Sequence, residues 1–214
     1  VYMFKEGFAE KVRTFVENGG ILITSYWSGI VDDTDRCYLG GTPHGLMDVL
    51  GLRSTEIDGL YDWEENQMVP ETGNLLGLTD TYICKNLCDL VELRGAKPLM
   101  TYGSDFYQGY PCLTVNTFGK GNAWYVAADA DEKFYADFLG KIVKDSCVSS
   151  GISEEIPDAL EITVRERDDV KYYIYQNYGT QAVKIPVPDG KVTWIYGNGQ
   201  EELKVYGLAV AKVE

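Results

Sequence analysis

Residues 5–26 read KEGFAEKVRTFVENGGILITSY, and this stretch decides the fold class. Phe8, Val12, Phe15 and Val16 fall at i, i+4, i+7 and i+8, one apolar stripe on a predicted helix from Lys5 to Glu17. Asn18-Gly19-Gly20 ends it, with glycine where a left-handed cap is needed. Ile21-Leu22-Ile23-Thr24-Ser25-Tyr26 follows at once. This short, apolar, mostly β-branched run predicts a strand buried on both faces. Helix, glycine turn and buried strand are half of an α/β repeat. The strand that should precede the helix is missing or reduced to Val1-Tyr2-Met3. With no initiator Met and no signal-peptide pattern, the chain reads as a processed product or a piece cut from a longer protein.

Working outward, Trp27 to Gly41 is a long polar loop carrying Asp32, Asp33, Asp35 and Arg36. Loops of this length in compact domains are usually functional or interfacial. A short helix is predicted from Pro43 to Leu50, with Thr42 as N-cap, Pro43 at its first position and Gly51 closing it. Residues 55–80 are acidic and turn-rich and predict irregular structure. Strands return at Leu87–Leu93, Pro98–Tyr102, Pro111–Thr117 and Ala123–Ala128. The last two are joined by a hairpin whose Gly119 and Gly121 are read as positive-φ residues. Asp129 or Asp131 caps a final helix with the stripe Phe134, Phe138, Leu139 and Ile142.

After Ser149-Ser150-Gly151 the period changes to two. Strands are predicted at Ala159–Arg165, Lys171–Tyr178, Gln181–Val187, Lys191–Tyr196, Glu201–Val205 and Leu208–Val213. Turns fall at Asp168-Asp169, Gly179-Thr180, Pro188-Asp189-Gly190 and Gly197-Asn198-Gly199. The predicted domains are 1–153, an α/β unit, and 154–214, a small antiparallel β unit that alone would be marginal and is expected to pack on something larger.

Composition excludes several function classes. The 214 residues are 45% hydrophobic, enough for a real core. The net charge of −14 repels phosphate backbones, so nucleic-acid binding is not expected. No apolar run is long enough to span a membrane. Five scattered cysteines (Cys37, Cys84, Cys88, Cys112, Cys147) suit reduced, buried or half-buried thiols in a cytoplasmic protein better than a disulfide framework. Cys84 and Cys88 are spaced to share one helical face. They lack the further ligands a zinc site needs, so no metal and no cofactor is expected. His44 is the one histidine and the one available partner for a nucleophile. Its place at a helix start suits a surface or interface residue better than a base. No G-x-S-x-G, GxGxxG or GxxxxGK[ST] pattern occurs.

Tyr26-Trp27-Ser28-Gly29-Ile30-Val31-Asp32-Asp33-Thr34-Asp35-Arg36 with Leu39-Gly40-Gly41, and Gly45-Leu46-Met47-Asp48-Val49-Leu50-Gly51-Leu52, carry a resemblance. So do Phe118-Gly119-Lys120-Gly121 and Tyr125-Val126-Ala127-Ala128-Asp129. These segments resemble the middle domain of glycoside hydrolase family 42 β-galactosidases, and the tail from about Pro157 is similar to that family's C-terminal β domain. The resemblance implies a flavodoxin-like, amidotransferase-like three-layer domain lacking its first strand, followed by a small antiparallel all-β domain. It implies a homotrimer, and a catalytic (β/α)₈ barrel elsewhere that hydrolyses terminal β-D-galactosides with retention. Both catalytic glutamates of the family lie on the barrel, so no residue here inherits a catalytic role. A retaining site needs two carboxyls about 5 Å apart across a sugar. Asp32, Asp33 and Asp35 are too close together on one loop for that, and are read as turn caps or partners of Arg36.

Trp27, Arg36, Tyr38 and His44 are therefore the candidate residues for contact with a neighbouring subunit or the rim of its active site, being types enriched at interfaces. Two alternatives remain. A carbohydrate-binding module would use the tyrosines and tryptophans, though Tyr172, Tyr173, Tyr175 and Tyr178 alternate as strand residues do. An amidotransferase-like hydrolase would need a cysteine nucleophile paired with His44.

Overall fold

The computed structural model describes residues 1–146, 148–197, 199 and 202–214. Its compact units are Val1–Ser146 and Cys147–Glu214. The first is α/β. Its elements are α1 (Phe8–Glu17), β1 (Ile21–Ser25), α2 (Met47–Leu50), β2 (Leu52–Gly59), β3 (Asn66–Pro70), β4 (Tyr82–Leu93), β5 (Lys97–Tyr102), β6 (Pro111–Phe118), β7 (Gly121–Val126), β8 (Ala128–Ala130) and α3 (Glu132–Asp145). These strands form one mixed sheet in the order β1-β7-β6-β5-β3-β4-β2, with β8 on β4. Only the pairing of β1 with β7 is parallel.

The strand buried on both faces is β7, not β1. Along β7 the side chains alternate. Ala123 and Tyr125 join the core under α1 and α2, while Trp124 and Val126 join the core under α3. This gives helix, sheet and helix layers. β1 lies at the sheet edge, half-buried, with Ile23 exposed. Its run of β-branched residues reports strand propensity; how much of it is covered depends on neighbours that the run itself does not encode.

Several predicted boundaries shift for local reasons. α1 starts at Phe8, three residues after Lys5, because Gly7 sits at φ 74°. Its stripe divides: Val16 is buried and Val12 half-buried, but Phe15 is exposed along one side and covers Gly20, where a Cβ would lie 2.3 Å from its ring. α2 starts at Met47, not Pro43. Thr42 does not cap it; its carbonyl accepts the Ser54 N–H at 2.8 Å and pairs with β2. Residues 55–80 are not irregular throughout, since β2 and β3 occupy part of them. A bulge between Ser54 and Glu56 breaks the alternation of β2 and hides it from a period-two reading. Gly119 has the expected positive φ of 58°, but Gly121 is needed for close approach: a Cβ there would lie 2.2 Å from the Gly20 carbonyl and 2.3 Å from that of Val16. Cys84 and Cys88 lie on a strand, β4, not on a helix. With Cys112 they are buried in one core, whereas Cys37 is exposed; Cys147 lies outside the described residues.

Strands β3, β5, β6, β7–β8 and β4 form a closed circuit. β4 pairs with β3, β3 with β5, β5 with β6 and β6 with β7. β8 continues β7 after Ala127 and returns to β4 through Cys84↔Ala130 and Cys88↔Ala128. At the junction the Asp89 N–H donates to the Ala127 carbonyl at 2.7 Å, and the Ala127 N–H donates to Cys112 at 2.8 Å. The Tyr102 hydroxyl is 2.9 Å from the Ala127 carbonyl and 3.1 Å from that of Asp89. The Asp89 side chain is itself buried and accepts from the Tyr125 hydroxyl through Oδ2. Its Oδ1 has no hydrogen-bond partner among the described residues.

α3 is capped as predicted at Asp131, whose Oδ1 accepts the Phe134 N–H at 2.8 Å. Phe134, Phe138 and Ile142 are buried, while Leu139 is 40% exposed. The second unit is antiparallel: β12-β14-β10-β9 and a separate β11-β13 pair, with β9 Leu160–Arg167, β10 Val170–Asn177, β11 Val183–Lys184, β12 Val192–Tyr196, β13 Glu202–Leu203 and β14 Leu208–Val213. Asp168 and Asp169 make the β9–β10 turn at φ 53° and 62°. Tyr173 and Tyr175 face the core with Ala209, Ala211 and Val213, and Tyr178 is exposed. In the Gly197-Asn198-Gly199 turn, Asn198 lies outside the described residues, as does Glu201 at the start of the predicted Glu201–Val205 strand.

Phe138→Ala should cost about 3–5 kcal/mol of unfolding free energy in urea, and Leu139→Ala less than about 1 kcal/mol, if α3 presents the face described. Burial pushes the Asp89 carboxyl up to about 6, against about 3.9 for a free side chain. The protonated form is thus favoured on folding, so this group stabilises most at low pH and the stabilisation fades as pH rises through about 6. The stability of the protein relative to Asp89→Asn should fall by about 2–3 kcal/mol from about pH 4 to about pH 8. A difference independent of pH would contradict the buried-carboxylate assignment.

Candidate assembly surface

The surface is built on the stretch from Trp27 to His44, and residues 1–4 hold it in place. The Gly29 and Ile30 N–H groups donate to Val1 and Tyr2 at 2.9 Å each, and the Phe4 N–H donates to Val31 at 3.1 Å. The Val1 amino group donates to Ser28 Oγ at 3.0 Å. Val31 is fully buried and bridges both Met3 and Cys37. The loop is therefore an ordered layer despite its lack of regular strands.

Asp32 shapes its tip. Oδ1 accepts the Thr34 N–H at 2.9 Å, the Thr34 hydroxyl at 2.7 Å and the Arg36 N–H at 3.1 Å. These bonds, the Thr34 hydroxyl first, hold its carboxyl below the usual range. Asp32 thus caps a turn, and its bond to Arg36 is to the backbone. The Arg36 side chain is exposed and makes no ion pair among the described residues. Asp35 completes the turn at φ 63°.

Tyr38 and His44 come together, their rings stacked 3.7 Å apart at 6°. The Tyr38 hydroxyl reaches the Phe4 carbonyl at 3.5 Å, and the His44 N–H donates to Gly29 at 3.1 Å. His44 Nδ1 is buried with no partner among the described residues. Gly29 must be glycine, because a Cβ would lie 2.7 Å from the Phe4 ring and 2.9 Å from the His44 nitrogen. Trp27 is placed differently. It is 46% exposed, at φ 55°, with its ring 5.7 Å from that of Tyr2. A non-glycine residue with positive φ is uncommon, and such strain gathers at functional sites. The Trp27 N–H and the Ser54 hydroxyl are near enough to Asp89 to moderate the rise in its pKa. Tyr38 and His44 thus form a packed support, and Trp27 and Arg36 are the outward groups.

Two features escaped the sequence reading. Asp89 was hidden in the predicted strand Leu87–Leu93, although a charged residue inside an apolar strand was itself a signal. The exposed pair Tyr61 and Trp63, stacked 4.9 Å apart at 7°, lay in a stretch read only as irregular.

No thiol is hydrogen-bonded to His44 among the described residues. The Cys84 thiol is pushed up by the Cys88 sulfur beside it and by burial, and Cys112 by burial. Cys88 is held lower by the Cys84 thiol but is fully buried, so none of the three is an accessible nucleophile. Among the described residues no group of three or more His, Cys, Asp or Glu side chains could hold a metal ion, and no helix is long and apolar enough to cross a membrane.

Residues 1–149 match the family model described as the β-galactosidase trimerisation domain. The chain is 38% identical over 214 residues to the β-galactosidase BglY of Alicyclobacillus acidocaldarius, covering 98% of this chain and 31% of that protein. It is 42% identical over 218 residues to BgaP of Planococcus sp. (strain L4), covering 100% and 32%. Among solved structures, it superposes on the β-galactosidase of Rahnella sp. R3 with a TM-score of 0.81 at 36% identity, covering 99% of this chain and 31% of that one. The β-galactosidase of Bacillus circulans sp. alkalophilus gives 0.82 at 31% identity, covering 100% and 32%. The chain spans about a third of the length of these relatives. The family model covers more than half of the chain, and the relatives match it across nearly its whole length: this chain belongs to the glycoside hydrolase family 42 β-galactosidases, with residues 1–149 as the trimerisation domain.

Proposed function

We propose that this chain is the assembling, non-catalytic part of a homotrimeric β-galactosidase. Its catalytic barrel lies on polypeptide outside these residues and hydrolyses terminal β-D-galactosides with retention. The observation that carries the reading is the family match across residues 1–149, supported by relatives that are β-galactosidases about three times as long. Within the trimer, the layer from Trp27 to Gly41 meets a neighbouring subunit. Trp27 and Arg36 make the contact, and the Tyr38–His44 stack keeps the loop in position. Large exposed aromatics and arginine are the residue types that carry binding energy at such contacts. The same residues border the neighbour's sugar cleft.

A flavodoxin-like arrangement of the larger unit fits the parallel pair β1 and β7 and the helices on both faces of β7. In this reading the open edge of β1 takes one further strand, which would cover Ile23 and the exposed Phe15. The boundary between the two domains is placed near residue 153, and free thiols at Cys37, Cys84, Cys88 and Cys112 fit a reducing, cytoplasmic setting.

The test uses the full-length protein. Replacing Trp27 and Arg36 together with Ala should raise the dissociation constant of the trimer by at least about tenfold in a light-scattering dilution series, while the melting temperature of the monomer stays unchanged. An unaltered trimer with unaltered galactoside kinetics would remove both the contact role and the cleft-border role.

A further inference from the structure

We propose that Cys84 and Cys88 are a dithiol that hydrogen peroxide converts to a disulfide, and that this bond staples β4 where the circuit of strands closes on β8. The pair lies inside the larger unit, and its chemistry does not depend on assembly.

Four steps along a regular strand span about 13 Å, too far for two cysteines to meet. β4 is not regular here. Cys84 pairs with Ala130, Lys85 with Asp129 and Cys88 with Ala128, so two extra residues are taken up between Lys85 and Cys88. Ala128 and Ala130 are two steps apart on β8, a span of about 6.7 Å, and the Cα atoms of Cys88 and Cys84 opposite them are drawn to a similar separation. Disulfides accept Cα separations up to about 6.8 Å. The bulge is pinned on both sides. Asn86 sits at φ 57°, its carbonyl accepts the Leu60 N–H at 2.9 Å, and its Nδ2 donates to Asp129 Oδ2 at 2.7 Å. Both thiols belong to one core and are fully buried, and the Cys88 sulfur lies beside the Cys84 thiol. The Cys84 thiol, and after it the Tyr107 and Tyr102 hydroxyls, favours thiolate on Cys88 against the effect of burial. Cys112 shares the core, but its thiol is raised first by burial.

In the closed fold both thiols are shut off, so reaction waits on local opening of the bulge, whose residues Lys85 and Asn86 are exposed. The reagent that enters such an opening is small, and hydrogen peroxide is scarcely larger than water. The Cys88 thiol gives up its proton, and its thiolate attacks one peroxide oxygen. The O–O bond breaks, and the departing hydroxide takes up that proton to become water. Cys88 is then a sulfenic acid with a second thiol at its side, the arrangement that ends in a disulfide and not in further oxidation. The Cys84 sulfur attacks the Cys88 sulfur, the S–O bond breaks, and the hydroxyl leaves with the Cys84 proton as water. Two thiols and one peroxide thus give one disulfide and two waters. The consequence is local. Asp89 follows Cys88, and its N–H donates to the Ala127 carbonyl at 2.7 Å. A bond from Cys84 to Cys88 fixes the residue beside that donor, and with it the joint between β4 and β8.

The test treats the full-length protein with hydrogen peroxide, then denatures it, alkylates it with iodoacetamide and digests it with trypsin. Trypsin cuts after Lys85, between the two cysteines, so a disulfide holds together two peptides that part on reduction. Mass spectrometry should find this linked pair, with alkylation of Cys84 and Cys88 lowered at least about tenfold and restored by dithiothreitol. Cys112→Ala should leave the bond in place. Cys84→Ala should leave Cys88 as a sulfenic acid that dimedone traps; if that variant does not fold, the wild-type peptides decide the matter. In the oxidised wild-type protein, hydrogen exchange at the Asp89 and Ala127 amides should slow at least about threefold. Full alkylation of both cysteines after peroxide would overturn the proposal, as would a disulfide from either one to Cys112. Cys88 still a free thiol in folded Cys84→Ala would overturn its role as the attacking sulfur. A Cys84–Cys88 disulfide with unchanged exchange would overturn the staple.

Discussion

At Ala127 the backbone changes partners, and most of the larger unit depends on how that change is held. Its carbonyl is met by the Asp89 N–H and by the Tyr102 hydroxyl, and its own N–H by Cys112. Without these bonds the strand leaving β7 would not return onto β4, and the circuit of strands would open. At the same joint the Asp89 side chain is buried, with the Trp27 N–H among the groups that moderate the rise in its pKa. A buried carboxylate with one unpartnered oxygen is costly, and polar groups of this kind are retained where they fix one arrangement among several. Here the arrangement fixed is the junction of β4, β7 and the loop that leaves β1.

The sequence made the helix–glycine–strand unit legible because helical spacing and glycine caps are local signals. Asp131 was legible as a cap for the same reason. β2 was not, since its bulge between Ser54 and Glu56 destroys the alternation on which a strand reading rests. Burial was less legible than element type: Ile21–Ser25 has the composition of a central strand and lies at an edge, because coverage is decided by the rest of the fold. Of the four candidate surface residues, the sequence identified the loop but not its internal division. The stacking of Tyr38 on His44 joins positions six apart through a turn built by Asp32 and the Gly29 contact, neither of which has a periodic signature. The family itself was legible from the Trp27–Gly41 and Gly45–Leu52 segments, which form the loop layer and then α2 with the start of β2.

An acidic chain that assembles must overcome its own charge. A net charge of −14 opposes association at low salt, and screening relieves it only beyond about 10 Å at ordinary ionic strength. The short-range part must come from apolar rings and local charge pairs, and the exposed aromatics of the larger unit supply such groups in fixed positions. The buried tyrosines do different work: Tyr102, Tyr107 and Tyr125 each spend their hydroxyl on an internal acceptor. The inward phenols lock the sheet, while Trp27, Tyr61, Trp63 and Phe106 stand exposed on the same unit.

The most direct test of that account is the molar mass in solution of the full-length protein with residues 1–149 excised, measured beside the intact protein. The account predicts a trimer for the intact protein and a monomer for the shortened one, with the remaining polypeptide still folded. A trimer that survives the excision would contradict it.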